Sequence, residues 1–207
     1  MMTYYGIIAL MGYLFGCSNL AFFLGKSRGF DIRRYGSNNA GASNATVTMG
    51  LKAGILVGLH DVAKSCAASL LAAFLFPAIP GAAAVAGAAA VIGHIFPFYL
   101  GFQGGKGFAS FVGMILAMDW KFFLVIVLAV LLITLISDYI VLGTLTTIVS
   151  FPVYLFITHM GFIIICAVCF ASVVIFLKHF INIKRIFTGE EIGLRRALSK
   201  DDKIQKQ

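Results

Sequence analysis

The chain has 207 residues, of which 60% are hydrophobic and only 12% are charged. A soluble domain is nearer half apolar and a quarter charged, so this composition excludes a soluble globular protein and indicates one compact membrane domain, residues 1–207. The formal net charge is +8. In a membrane protein the position of basic residues is more informative than their sum, so this charge does not indicate nucleic-acid binding.

The apolar segments predict an all-α, polytopic integral membrane protein with about seven transmembrane helices, some of them short. A hydrocarbon core ~30 Å thick needs roughly 20 apolar residues per helix. The predicted spans cover residues 4–24, 45–76, 82–100, 108–118, 122–136, 139–157 and 161–177. Segments 108–118 and 122–136 reach only ~16 and ~22 Å, so in a five-span alternative they form a re-entrant or interfacial pair.

Polar motifs interrupt these spans at residues 25–52, 101–110 and 178–191, and a charged tail follows at 192–207. With seven spans, 14 of the 16 lysines and arginines lie on the side of these motifs. The positive-inside rule then predicts that the C-terminus is cytoplasmic and the N-terminus outside. The five-span alternative also places the three motifs on one side.

A glycine-rich turn surrounds one lysine in the sequence Gly104-Gly105-Lys106-Gly107. Glycines allow a backbone to approach a ligand, and exposed N–H groups beside a lysine suit a phosphate. Phe108 follows where a nucleotide P-loop would have serine or threonine, so that motif is excluded. The alternative is a membrane turn anchored by a lysine.

The first polar loop carries arginines, and these are followed by a run of residues rich in side-chain amides and hydroxyls, from Gly36 to Asn44. It is either an ordinary linker or a set of donors for phosphate oxygens. In the last motif, Lys178, Asn182 and Arg185 fall on one helical stripe with His179 at its edge. An amphipathic interfacial helix is the alternative there.

Asp61 and Lys64 are three residues apart in the second span and can pair on one helical face. Ionisable groups at membrane depth mark either a buried structural pair or a functional site, and the sequence favours neither. The four cysteines lie in apolar segments and are interpreted as core thiols. No metal site and no cofactor are predicted.

Taken in order, the motifs resemble those of the bacterial acyl-phosphate:glycerol-3-phosphate acyltransferases, the PlsY type. The resemblance rests on Gly36–Asn44, on Gly93–Ser110 and on His179, Asn182, Arg185 and Glu191, and it covers nearly the whole chain. Asn38 stands where the family motif has glycine, and Lys178 where it has arginine. None of the four histidines is followed five positions later by aspartate, so the His-x-x-x-x-Asp acyltransferase motif is absent.

The resemblance implies transfer of an acyl group from acyl-phosphate to the 1-hydroxyl of glycerol 3-phosphate, giving lysophosphatidate and inorganic phosphate. It implies catalytic roles for Ser37, Lys106, His179 and Asn182. It implies substrate or phosphate binding by Arg33, Arg34, Asn39, Gly41, Ser43, Asn44, Gly104, Gly105, Gly107, Ser110 and Arg185, with supporting roles for Asp61, Lys64, His94, Lys178 and Glu191.

The implied partners are these two substrates and the lipid bilayer, without nucleic acid, and a monomer is compatible with them. The implied location is the bacterial cytoplasmic (inner) membrane, with the active site facing the cytoplasm. The competing hypothesis is a small transporter or permease for a phosphorylated or anionic solute, because broken apolar segments and intramembrane charges also mark transporters.

Overall fold

The computed structural model describes residues 1–198, and the regular secondary structure in that range is helical. The helices are α1 (Met2–Cys17), α2 (Leu20–Ser27), α3 (Ala42–Met49), α4 (Leu51–Leu75), α5 (Ala82–Ile95), α6 (Phe108–Met118), α7 (Trp120–Ser137), α8 (Ile140–Ile157), α9 (Phe162–Phe187) and α10 (Leu194–Leu198), with single 3₁₀ turns at Ile32–Arg34 and Phe98–Leu100. Residues 199–207 of the predicted tail, including three of the lysines counted for topology, lie outside the described range.

Helix α5 is the most enclosed element, and it packs against α1, α4, α6 and α9. Its alanines and glycines allow this, because small residues let helix backbones approach closely where no hydrophobic effect drives them together. A Cβ added to Gly12 or Gly16 of α1 would strike the carbonyl oxygen of Ala86 or Ala90 on α5. The close α1–α5 contact therefore depends on glycine at these two positions.

The first predicted span is broken in the structure, because the helix stops at Cys17 and restarts at Leu20. Asn19 caps the second piece by accepting a hydrogen bond from the Phe22 N–H, and its amide donates to the Ala40 carbonyl. The carbonyls of Cys17 and Ser18 accept from Tyr99 Oη at 2.8 Å and Lys64 Nζ at 2.6 Å. Side chains distant in sequence thus supply the partners that the helix break leaves unmet.

The second predicted span is also divided, because Gly50 adopts a φ of +92° between α3 and α4. The fifth span is longer than predicted and covers Trp120–Ser137. Asp119 extends it by accepting hydrogen bonds from the N–H groups of Lys121 and Phe122, which makes it a side-chain N-cap.

Six helical segments of residues 1–198 are long and apolar enough to cross a membrane, and Phe108–Met118 is a shorter seventh. The short helix reaches towards the opposite end of the bundle. It starts beside the glycine–lysine turn, and Asp119 just beyond it accepts a hydrogen bond from Tyr154 Oη, one turn before the far end of α8. Trp120–Ser137 is among the six candidate spans, so α7 does not fit the short segment of the five-span alternative, whereas α6 falls short of a full span.

The last long helix continues outward without a break to Phe187, which the sequence left open. The main apolar core lies between α5, α6, α8 and α9 around Phe111, Met114 and Phe151.

The prediction that all cysteines are core thiols is wrong in part: Cys17 is buried, but Cys166 is exposed on the outer surface of α9.

Candidate functional site

The three polar motifs meet at one cavity of about 450 Å³, enclosed by α3, α4, α6, α7, α8 and α9. The four residues with predicted catalytic roles all line it: Ser37, Lys106, His179 and Asn182. Direct contacts join the motifs, because the Ala40 N–H donates to the Gly104 carbonyl and Lys106 Nζ donates to Asn182 Oδ1. Residues more than 140 positions apart in sequence therefore share one site.

The loop before α3 is held in shape by Asn44, which is fully buried. Its Nδ2 lies 3.0, 3.0 and 2.7 Å from the carbonyl oxygens of Ile32, Tyr35 and Asn39, and its Oδ1 accepts from the Ser37 N–H at 2.8 Å. Asn44 is not exposed to the cavity. It positions Ser37, whose Oγ accepts from Asn39 Nδ2 at 2.8 Å.

The loop conformation also explains the residue at position 38. Asn38 has a φ of +56°, a left-handed conformation that glycine adopts freely and that asparagine tolerates best among the other residues. Its side chain is exposed and is not among the cavity-lining groups, so it does not crowd the ligand space.

We expect Asn38→Gly to be neutral for thermal stability and activity, and Asn38→Val to destabilise the protein by about 1–3 kcal/mol because a β-branched residue is strained at this φ. Thermal unfolding in detergent micelles measures both. A fully stable Asn38→Val protein would show that the conformation at residue 38 is not left-handed.

The glycine–lysine turn contributes fewer free amides than its sequence suggests. The N–H groups of Gly104 and Gly105 donate to the carbonyls of Ile95 and His94, so they close the end of α5 and cannot bind a ligand. A Cβ on Gly104 would clash with the His94 carbonyl, and one on Gly105 with the His94 ring. These two glycines are required for packing on His94, which corrects the prediction that their backbone binds phosphate.

Two helices instead begin at the cavity without a side-chain cap. The N-cap residues are Gly41 for α3 and Gly107 for α6, and both line the cavity together with the first residues of each helix. Uncapped N–H groups and the positive end of the helix dipole favour an anion at such a position. Gly107 has a φ of +93°, and a Cβ there would lie 2.7 Å from Ile95 Cδ1, so the turn requires glycine.

Lys106 lies between these two helix ends. Its Nζ donates to Asn182 Oδ1 at 2.7 Å, and Asn182 Nδ2 donates to Glu191 Oε1 at 2.6 Å. Burial lowers the pKa of Lys106 to about 8, while the charge of Glu191 raises it and that of Arg185 lowers it. Lys106 is thus a cation that lacks a direct carboxylate partner among the described residues, so it is available to an anionic ligand.

His179 and Arg185 complete the polar end of the cavity on α9. His179 Nδ1 lies 2.9 Å from the Ile175 carbonyl oxygen, which only accepts, so Nδ1 carries a proton and the neutral ring keeps its basic lone pair on Nε2. Within residues 1–198, the Arg185 guanidinium makes no hydrogen bond or ion pair, and it lines the cavity. The site therefore holds a base and a second uncommitted cation.

Several predicted binding residues lie outside the cavity. Arg33 pairs with Asp31 at 2.8 Å and donates to the Leu100 carbonyl at 2.6 Å, so it ties the first loop to the end of the third span. Arg34 is exposed, and Lys178 Nζ lies 4.4 Å from the centre of the Phe96 ring. Ser110 is buried in α6. The cavity-facing stripe of α9 is formed by His179, Asn182 and Arg185.

The intramembrane charges form a compact cluster below the polar end. Asp61 Oδ1 lies 2.8 Å from Lys64 Nζ and 3.3 Å from His94 Nδ1, and Lys64 Nζ is 2.9 Å from the same His94 nitrogen. All three residues are buried, and Asp61 and His94 line the cavity. The Asp61–Lys64 pair therefore has a structural function, because Lys64 supports the α1–α2 break through the Ser18 carbonyl. The pair also contacts the cavity through Asp61.

The other end of the cavity is apolar, and its position could not be read from the sequence. Its walls are Val112 of α6, Ile126 and Val130 of α7, and Val141 and Thr144 of α8. In a membrane protein, side chains that face a ligand cavity are as apolar as those that face lipid, so hydropathy cannot separate them. Only the packing of α7 against α8 distinguishes this surface.

Comparison with known proteins gives a consistent assignment over nearly the whole chain. The glycerol-3-phosphate acyltransferase family model matches residues 6–189. The chain is 37% identical over 207 aligned residues to "Glycerol-3-phosphate acyltransferase 1" of Oceanobacillus iheyensis, covering 95% of this chain and 98% of the relative. It is 32% identical over 184 residues to the glycerol-3-phosphate acyltransferase of Aquifex aeolicus, covering 89% and 96%.

Solved structures of PlsY (YgiH), described as an integral membrane glycerol 3-phosphate acyltransferase, are similar in fold. The glycerol 3-phosphate form gives a TM-score of 0.86 at 30% identity, covering 92% of this chain and 95% of that one. The lysophosphatidic acid form gives 0.83 at 30% identity, covering 94% and 98%.

Proposed function

Since the chain belongs to the glycerol-3-phosphate acyltransferase family and is an enzyme that acylates glycerol 3-phosphate, we propose that its donor is an acyl-phosphate. We also propose that the cavity between α3, α6 and α9 is the active site. The observation that carries the proposal is the convergence of Ser37, Lys106 and Asn182 on one cavity. The transporter hypothesis loses its support, because the helix break and the intramembrane charges have internal partners.

Both substrates carry phosphate, and the polar end of the cavity offers two places for it. One lies at the start of α6 beside Lys106, and the other at the start of α3 beside Ser37 and Asn39. Arg185 is within the same cavity and can neutralise charge at either place. Two phosphates bound close together need this concentration of positive charge, since each repels the other.

The acyl chain of the donor occupies the apolar end, between α6, α7 and α8. This arrangement sets the acyl carbonyl at the boundary between the apolar and polar parts of the cavity. The 1-hydroxyl oxygen of glycerol 3-phosphate then attacks the acyl carbon, a new C–O ester bond forms, and the bond to the phosphate oxygen breaks. The products are lysophosphatidate and inorganic phosphate.

The proton of the attacking hydroxyl has two acceptors available. The phosphate of the donor leaves with the electron pair of the broken bond and takes up the proton directly. His179 Nε2 is the alternative base, since Nδ1 is committed to Ile175. Most of the rate enhancement comes from positioning and from charge stabilisation by Lys106, Arg185 and the helix ends, because acyl-phosphate is already an activated donor.

The polar end of the cavity faces the cytoplasm in this proposal, and the protein resides in the bacterial cytoplasmic membrane. The distribution of lysine and arginine supports this orientation, since among residues 1–198 only Lys121 lies at the opposite end of the bundle. One chain supplies the residues that line the cavity, so a monomer is sufficient for activity.

Incubation of the purified protein with radiolabelled glycerol 3-phosphate and one of three donors tests the proposal. We expect lysophosphatidate with acyl-phosphate, and none with acyl-CoA or acyl carrier protein. Inorganic phosphate should appear in equal amount with the product. Product formed from acyl-CoA alone would contradict the donor assignment while leaving the acyltransferase activity intact.

The pKa of Lys106 predicts the alkaline limb of the pH profile. In the free enzyme the ammonium is lost as the pH rises through about 8. Since kcat/KM reports the ionisation of the free enzyme, we expect kcat/KM for glycerol 3-phosphate to fall by up to about tenfold per pH unit above that value. The Lys106→Arg variant stays charged over this range, so its profile should lack the limb; an unchanged limb in Lys106→Arg would assign it to another group.

A further inference from the structure

The segment after the third polar motif folds back across the cavity. We call residues 192–198 the strap. The Leu194 N–H donates to the Asp138 carbonyl at 2.7 Å, and the Arg195 N–H donates to Asp138 Oδ1 at 2.8 Å. Asp138 lies in the turn between α7 and α8, and the strap also packs against α3. The strap therefore spans from one wall of the cavity to the other.

Local backbone geometry is adapted to this contact. Asp138 has a φ of +71°, which an aspartate adopts at some cost and which directs both its carbonyl and its carboxylate to the strap. Gly193 is buried, and a Cβ added there would collide with Asp138 Oδ2. The contact is thus a specific latch with a residue requirement on each side.

The inner surface of the strap is part of the cavity wall. Ile192, Leu194 and Ala197 line the same space as Ser37, Lys106 and Val141, whereas Leu198 points away and is 47% exposed. The family model ends at residue 189, so the strap lies beyond the part that the family model matches. Its inner face is apolar, and it closes the side of the cavity between Glu191, which contacts the polar end, and Asp138.

The strap is also connected to the phosphate-binding group. Glu191, the residue directly before it, accepts a hydrogen bond from Asn182, which in turn accepts one from Lys106. The position where the strap begins is therefore fixed by the same side chains that we assign to the phosphate of the substrate.

We propose that the strap is a latched lid that excludes water from the acyl carbonyl and so determines the choice of acceptor, glycerol 3-phosphate rather than water. This inference rests on the proposed function. Water is the competing acceptor: its oxygen attacks the acyl carbon, the acyl–phosphate bond breaks, and a free fatty acid and inorganic phosphate result. An apolar cover over the acyl-phosphate, which is a reactive mixed anhydride, suppresses that reaction by keeping water out of reach.

The test compares Asp138→Gly with Asp138→Asn. Glycine accepts the positive φ and removes only the carboxylate, whereas asparagine also accepts that φ and keeps the Oδ1 acceptor. Leu194→Ala and Leu198→Ala form a second matched pair, one on the cavity wall and one outside it. Each variant is incubated with acyl-phosphate, with and without glycerol 3-phosphate, and three products are measured: inorganic phosphate, fatty acid and lysophosphatidate. Separately, the rate of trypsin cleavage at Arg195 and Arg196 reports opening of the strap.

We expect Asp138→Gly and Leu194→Ala to raise the ratio of hydrolysis to transfer by about tenfold and to accelerate cleavage, while Asp138→Asn and Leu198→Ala stay within twofold of the unmodified protein. Accelerated cleavage with an unchanged ratio would overturn the lid. Unchanged cleavage in both Asp138→Gly and Leu194→Ala would overturn the latch. Absence of lysophosphatidate from the unmodified protein would instead contradict the proposed donor.

Discussion

Replacing Lys106 with alanine is expected to lower kcat/KM for glycerol 3-phosphate by about 10²–10³-fold, the loss typical of removing one preorganised charge-stabilising donor from an active site. The lysine is the cation nearest to both the start of α6 and Asn182, and within residues 1–198 it has no direct carboxylate partner. Its removal leaves the phosphate with Arg185 and helix-end amides only.

Two controls separate this effect from a general loss of charge or of folding. Lys52→Ala removes an exposed lysine at the same end of the bundle and should retain the activity of the unmodified protein. Asn182→Asp keeps the shape of the side chain that contacts Lys106 but adds a negative charge. This charge should raise the KM for both phosphorylated substrates, acyl-phosphate and glycerol 3-phosphate. Full acyl transfer by Lys106→Ala in a folded protein would refute the central role of this lysine.

The largest loss of stability is expected from Asp61→Ala. The substitution leaves Lys64 buried without its 2.8 Å partner, next to His94 and in contact with the Ser18 carbonyl. Breaking one side of a buried pair typically costs about 3–5 kcal/mol, because an uncompensated charge remains. Thermal unfolding in detergent should show this as a clear fall in midpoint, with less folded protein recovered from membranes.

The double variant Asp61→Leu/Lys64→Met tests whether the pair serves structure alone. Replacing both charges with apolar groups of similar size removes the unpaired charge, so stability should recover most of the loss. Lys64 also donates to Ser18 at the helix break, so recovery to the full value is not expected. A double variant that is stable but inactive would assign a role in the reaction to Asp61, which lines the cavity; a stable and active one would leave a structural role only.

The approximate number of apolar spans and the grouping of the polar motifs could be predicted from hydropathy and from the distribution of lysine and arginine. The spans at 82–100 and 139–157 correspond closely to helices in the structure. The divisions at Ser18–Asn19 and at Gly50 could not be predicted, because they depend on partners distant in sequence. Lys64 and Tyr99 satisfy the carbonyls of the first break, and no local pattern identifies them as its partners.

The sequence indicated cavity-lining residues where a residue's chemistry is scarce in a membrane, and it was ambiguous where a residue has competing uses. Lysine, asparagine and histidine near the ends of spans indicated Lys106, Asn182 and His179, and the structure brings them to one cavity. Glycine is ambiguous by comparison: Gly104 and Gly105 serve packing on His94, while Gly107 serves the turn. Arg33 likewise binds Asp31 and Leu100 rather than facing the cavity.

The sequence by itself determined that this protein is a helical membrane protein with its polar motifs grouped at one end, since burying backbone in lipid demands helices and since polar residues persist there only where they are needed. Only the tertiary structure decided which amides remain free, which arginine faces the cavity, and that residues 192–198 cross it. These outcomes depend on which groups meet across long sequence separations, and each hydrogen-bonding group satisfied by one partner is no longer available to another.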